Sequence, residues 1–170
     1  MWHRDRVDND ADLPANARTV VAAARDLGLD LAVREFPEGT RTAQDAADAI
    51  GVDVGQIVKS LIFAVDGEVV VALVSGPNRL DEGRLAAAAG RPGAPVGRVD
   101  AGVVREATGF PIGGVPPFGH AKPLATFVDE DLLGYEVVWA AAGTPHHNFS
   151  VAPADLVRAT GGTVAPLRVV

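Results

Sequence analysis

The chain has no cysteine, one methionine and only 5% aromatic residues over 170 positions. Without cysteine there are no disulfides, no thiolate zinc sites and no cysteine nucleophile, a pattern compatible with a reducing, cytoplasmic setting. No run approaches ~18 apolar residues free of charge, so no membrane-spanning helix is expected. The residues after Met1, WHRDRVDND, lack an apolar h-region, which argues against a secretory signal. Basic residues are also short: 15 Lys and Arg face 22 Asp and Glu, a net charge of −7. Such a chain has no broad basic face for neutralising phosphates, so an RNA partner must be gripped locally, at an end or a single phosphate. Within the basic set lysine is rare, with only Lys59 and Lys122 beside thirteen arginines. A compact ammonium retained among so many guanidinium groups suggests a task arginine cannot do. The three serines, Ser60, Ser75 and Ser150, lie outside any GxSxG turn, and neither a P-loop nor a GxGxxG after a strand is present.

What is there is ordinary globular material, 48% hydrophobic and 22% charged, of a length that suits one domain. Residues 1–11 read as a polar N-terminal arm and 12–170 as a single domain. Pro14 to Leu27 predicts a helix with Ala17, Val20, Val21 and Ala24 on one face, and Gly28 as its stop. Leu31 to Phe36 reads as a strand. Thr42 opens a short Ala-rich helix that Gly51 closes. Ile57–Val65 and Glu68–Ser75 flank Asp66-Gly67, the pattern of a two-residue type I′ hairpin. Helices follow from Leu80 to Ala89, capped by Asp81, and from Asp100 to Ala107, ended by Gly109. Strands are expected at Leu124–Val128, Glu136–Ala141 and Thr163–Val169, with a helix over Pro153–Thr160. Helices and strands do not alternate one for one, so the fold class is α+β, with a mixed sheet or partial barrel and helices outside.

Three features carry chemistry. In the strand Ile57–Val65 both faces are apolar, so it is covered on both sides and Lys59 is either desolvated or lining a cavity. An ammonium there needs a carboxylate or an anionic ligand; the plainer reading is a lysine snorkelling to water at a strand end. The segment GFPIGGVPPFGH, Gly109 to His120, has four Gly and three Pro in twelve residues. It is too stiff for a linker and could aim main-chain amides at a carbonyl oxygen or phosphate, or simply cross the sheet. His146 and His147 follow a strand, and alternation lets at most one face a given pocket. With His120 as third ligand they offer a metal site, but no HxxxH or HExxH spacing supports it, so no metal is expected. With no nucleophile motif, a hydrolase here would rely on attacking water, positioning and oxyanion stabilisation, enough for an activated ester. The acidic clusters Asp45–Asp48 and Asp129–Asp131 read as helix starts and solvated faces.

Taken together, RTAQDAADAIGV (41–52), QIVKSLIF (56–63), LVSGPNRLD (73–81), TGFPIGGVPPFGH (108–120) and AAGTPHHNFSVAPADLVRATGG (141–162) resemble the YbaK/prolyl-tRNA-synthetase-associated family. Its members are bacterial editing domains that deacylate mischarged tRNA. The resemblance implies a barrel-like mixed sheet ringed by helices. It implies metal- and cofactor-independent hydrolysis of the ester joining a wrong amino acid to the 3′ adenosine of tRNA, most often tRNA(Pro). On it, Lys59 holds the terminal phosphate or ester oxygens, and the Gly113 and Gly114 amides stabilise the oxyanion. Arg41, Thr42 and Ser60 are second-layer or ribose contacts. His120, His146 and His147 are substrate-side residues, with His146 or His147 reading the amino acid. The partners implied are the acceptor end of mischarged tRNA and a synthetase that delivers it, with alanine or another small residue removed. Two other readings stay open: a non-catalytic aminoacyl-tRNA or nucleotide-binding accessory module, and a metal-dependent hydrolase using the histidines.

Overall fold

A computed structural model describes residues 10–170 of the chain. Most of the arm read at residues 1–11 lies outside the described residues, and its last two join a 3-10 turn, Asp10–Asp12. Helix α1 (Ala15–Asp26) buries Ala17, Val20, Val21 and Ala24, the predicted face, and Pro14 precedes its first turn. Strand β1 is only Val33–Glu35. Helix α2 (Ala43–Ile50) starts where Thr42 Oγ1 accepts the Asp45 amide at 3.0 Å, and Gly51 closes it in the left-handed conformation. Strands β2 (Val58–Val65) and β3 (Glu68–Ser75) form the hairpin, paired from Val58↔Ser75 to Val65↔Glu68. Both turn residues have positive φ, Asp66 at 51° and Gly67 at 81°, which is what a type I′ turn demands.

The remaining elements are α3 (Glu82–Ala88), β4 (Val96–Arg98), α4 (Ala101–Thr108), β5 (Ala125–Asp129), β6 (Val138–Ala141), β7 (His147–Val151), α5 (Pro153–Thr160) and β8 (Thr163–Ala165). Asp81 and Asp100 cap α3 and α4 by accepting the Arg84 and Val103 amides. Five strands form a mixed sheet in the order β4-β2-β3-β5-β8, antiparallel on the β2 side and parallel from β3 through β8. A second, antiparallel sheet runs β1-β7-β6, and a parallel bridge between Ile57 and Trp139 joins it to the first. The α+β class with a mixed sheet is therefore what forms.

The central hairpin is buried on both faces. Along β3, Val71 and Leu73 enter one core with α1, Phe118 and Phe149, while Val70, Ala72 and Val74 enter another with Leu80, Leu85 and Phe127. Period-two alternation thus feeds two cores from one strand. Two strands differ from the sequence-based expectation. β4 is Val-Gly-Arg among Gly and Pro, with no alternation, and forms by pairing against Phe63–Val65. β7 begins inside the His-His-Asn run and is ordered between β1 and β6. The final strand is shorter than expected; beyond it, Arg168 makes an isolated bridge to Leu80.

Candidate functional site

Strand β4 covers β2 only at Phe63–Val65, so on that side the ladder stops short of Val58–Ile62. A cavity of ≈ 440 Å³ is lined there by the consecutive residues Ile57, Val58, Lys59, Ser60 and Leu61. Neighbouring side chains in a strand face opposite ways. A cavity touching all of them must therefore lie along the strand's open edge. Its other walls are Arg41 and Thr42 at the start of α2, Ile112 and Gly113 from the Gly/Pro loop, and Asn148 from β7. Ile112 is 65% exposed, an apolar side chain on the rim.

Lys59 is half-buried, and its Nζ donates to the Asn78 carbonyl. One bond of three leaves two N–H donors for a ligand. The Asn78 side chain is held in turn: its Nδ2 donates to Asp129 Oδ2 and Asp131 Oδ2, both at 2.8 Å. Asp129 also accepts the Ser75 amide at 3.1 Å and the Asp131 amide at 3.0 Å. Asp129 does start a short helix, but it is fully buried, which corrects the reading of this acidic cluster as a solvated face. Burial lowers the Lys59 pKa from its ordinary value, and the Asp129 charge pulls it part of the way back. A carboxylate thus acts on the ammonium from behind Asn78, while among the described residues Lys59 has no ion pair of its own.

Within the loop the two glycines differ. Gly113 lines the cavity at φ 93°, with open space where a Cβ would stand, and among the described residues its amide has no hydrogen-bond partner. The Gly114 amide donates to the Pro111 carbonyl at 3.0 Å. A Cβ on Gly114 would sit 2.8 Å from the Gly143 carbonyl oxygen, so that glycine permits the loop to press on the β6–β7 connection. Of the two glycines, Gly113 is therefore the one with a free donor.

The histidines are not brought to this cavity. His120 Nε2 meets the Pro116 carbonyl at 2.7 Å, and its side chain lines a different depression beside Ala23 and Leu124. His146 Nδ1 meets the Phe36 carbonyl at 3.2 Å. His147 is 5% exposed, with Nδ1 2.6 Å from Thr144 Oγ1 and Nε2 3.8 Å from Glu35. Among the described residues no three His, Asp or Glu side chains cluster to hold a metal. The residue from this run that does line the cavity is Asn148, whose Nδ2 donates to Thr40 Oγ1 at 2.7 Å. Treating 147–151 as a strand would have found it, since His147 and Asn148 then face opposite ways. Ser60 Oγ, also in the wall, is buried and has no partner among the described residues.

Burial lowers the pKa of both His120 and His147, outweighing the Pro116 carbonyl and Glu35, which raise them; His146 adds to the lowering of His147. The folded chain therefore holds them neutral, and below the ordinary histidine value of about 6.5 the unfolded chain takes up the protons more readily. Their stabilisation is present above that pH and lost as pH falls through the lowered values. Thermal unfolding should show a midpoint that is level near neutrality and drops on acidification. The drop should be shallower in a His120→Asn/His147→Asn double variant; an unchanged slope would assign the acid limb to other groups.

The family described as an aminoacyl-tRNA editing domain matches residues 37–159. A crystal structure of a proposed trans-editing enzyme for prolyl-tRNA synthetase is 48% identical, covers 94% of this chain and 100% of its own, and superposes with a TM-score of 0.87. The uncharacterised YwhH of Bacillus subtilis is 31% identical over 125 residues, 73% of this chain and 78% of its own. Proline–tRNA ligase of Maridesulfovibrio salexigens is 36% identical over 103 residues, 61% of this chain but only 17% of the ligase. Among the described residues no helix is long and apolar enough to cross a membrane.

Proposed function

Since the chain belongs to the aminoacyl-tRNA editing domain family, we propose that residues 12–170 act as one trans-editing domain. It hydrolyses the ester between a small, wrongly attached amino acid and the 3′ end of tRNA, with alanine on tRNA(Pro) the first candidate. The observation that carries this is a single cavity lined by both an ammonium with two uncommitted N–H bonds and an unpaired main-chain amide. Lys59 holds the phosphate or ester oxygens of the terminal nucleotide. The Gly113 N–H donates to the oxyanion as water adds to the ester carbonyl carbon. The carbon–oxygen bond to the ribose then breaks, the ribose oxygen takes a proton, and the free amino acid leaves. The substrate's own 2′-hydroxyl positions the water, so no side-chain base is needed, and the scheme uses no metal or cofactor. Arg41, Thr42 and Ser60 flank the ribose, and Asn148 and Ile112 bound the amino acid.

A cavity walled by Ala43, Ala46, Ile57 and Val115 selects by size. That is worth only ~1–3 kcal/mol per methylene, so Ala, Ser and Cys should overlap. The chain acts in the cytoplasm, where tRNA is charged, and a synthetase delivers the substrate to a protein whose net charge of −7 leaves only local contacts to the acceptor end. Incubating the pure protein with tRNA(Pro) charged with Ala, Ser, Cys, Thr or Pro tests the reading. Alanine should be released well above the buffer rate and proline spared. No release from any member would favour the non-catalytic binding module.

A further inference from the structure

Lys59 belongs to two cavities at once. Beside the one already described lies a larger cleft of ≈ 840 Å³, reached past Lys59 and Leu61, which line both. Both volumes fall in the roughly 300–1,000 Å³ range that encloses ligands of nucleotide size. One wall of the cleft is apolar, built from Leu61, Phe63, Leu80 and Val169. The cations Arg79 and Arg98 also line the cleft, and the Arg98 guanidinium covers the buried Phe63 ring, 5.9 Å from its centre.

In a chain of net charge −7 these two arginines share with Arg18, Arg41 and Arg105 the lack of an ion pair among the described residues, and they are the two that line this cleft. Arg84, Arg91, Arg158 and Arg168 each meet a carboxylate, as does Lys122. Arg79 and Arg98 are exposed and, among the described residues, have no ion pair. Of the two acidic residues in the same cleft, Asp81 already accepts the Arg84 amide. Unpaired guanidinium groups along an open cleft are what the backbone of a single-stranded nucleic acid requires, since such grooves track the phosphates with cations. Lys59, common to both cavities, then meets the phosphate that passes from one to the other.

We infer that this second cleft receives the unpaired nucleotides that precede the terminal adenosine, their phosphates on Arg79 and Arg98. The inference rests on the deacylase reading for its direction, since the adenosine and its amino acid occupy the smaller cavity. It also answers how an acidic chain grips RNA: by a short basic track at one end of the substrate.

The test uses the full chain and a fluorescent RNA hairpin ending in single-stranded CCA, uncharged, followed by anisotropy across a salt titration. Arg79→Ala/Arg98→Ala should weaken binding about tenfold and reduce the salt slope by roughly 1.4, about 0.7 for each phosphate no longer neutralised. Arg79→Lys/Arg98→Lys should keep the slope, Arg158→Ala should match wild type, and all should unfold at the wild-type temperature. Removing the single-stranded end should cost wild type at least as much as the double alanine substitution does, since the terminal adenosine is lost with it. Equal binding by the double alanine variant and wild type, or by hairpins with and without the overhang, overturns the inference. Alanyl-adenosine separates the two claims. If wild type hydrolyses neither it nor the same hairpin charged with alanine, the deacylase reading falls while the binding arm still decides this one. If the arginine substitutions slow alanyl-adenosine hydrolysis as much as they slow the hairpin, the arginines serve the terminal adenosine and the second cleft is not the track.

Discussion

Lys59→Ala is expected to lower kcat/KM for deacylation by ~10²–10³-fold, the loss typical of removing one donor from a developing oxyanion or phosphate clamp. The fold should survive. The ammonium stands at an open strand edge, its one bond within the chain goes to the Asn78 carbonyl, and the partners that hold Asn78 remain. Lys59→Arg should not rescue: a planar fork with five donors does not replace a compact point charge in a slot shaped for one. Burial lowers the Lys59 pKa and Asp129 only partly restores it. Activity that needs the ammonium must therefore decline, once base-catalysed background is subtracted, at a pH below the ordinary lysine value of about 10.4. Lys122 is the control. It is exposed and pairs with Glu106 at 3.0 Å, away from the cavity, so Lys122→Ala should stay near wild type. Full activity in Lys59→Ala would remove the ammonium from the mechanism.

Asp129→Ala should give the largest loss of stability, about 3–5 kcal/mol, the cost of breaking a buried charged network by removing one partner. Three N–H groups, from Ser75, Asn78 and Asp131, lose their acceptor, and Ser75 is itself buried. For a chain of this size that corresponds to a fall on the order of 10 °C in unfolding temperature. Asp129→Asn should fall between, because its amide oxygen can still accept while its NH₂ meets donors. Thermal melts of the three proteins decide the matter. A change of only a degree or two in Asp129→Ala would mean that water replaces the carboxylate without penalty. In surviving folded protein, loss of the Asp129 charge should move the alkaline limb of activity to lower pH, because that charge raises the Lys59 pKa.

Local signals account for much of the fold. The Asp-Gly turn, the Thr42, Asp81 and Asp100 caps and the glycine stops at 51, 109 and 161 act within four residues of themselves, so their geometry can be read from order along the chain. β4 and β7 cannot be read that way. Their residues carry no clear alternation of their own and become strands because β2 and the β1–β6 pair offer free backbone edges. The site divides likewise. Lys59 stands out as an ammonium on a doubly apolar strand, and the loop by its Gly and Pro content. Which glycine keeps a free amide depends on the Gly114–Pro111 bond, and which member of the His-His-Asn run faces the cavity depends on the pairing of Asn148 with Arg34. Asp129 reads as solvated because two more acidic residues follow it, and only tertiary packing drives the first of the three inward.

The small sheet has a bearing on biosynthesis. Val33 pairs with Phe149, and Thr40 receives its hydrogen bond from Asn148, so one wall of the cavity joins the first quarter of the polypeptide to the last. Pairings of such long sequence separation form late, after the loop-closure entropy has been met. A ribosome that has delivered α1 through β5 has therefore made Lys59 and the glycine loop but no finished compartment, and competence arrives in one step as β7 threads between its neighbours.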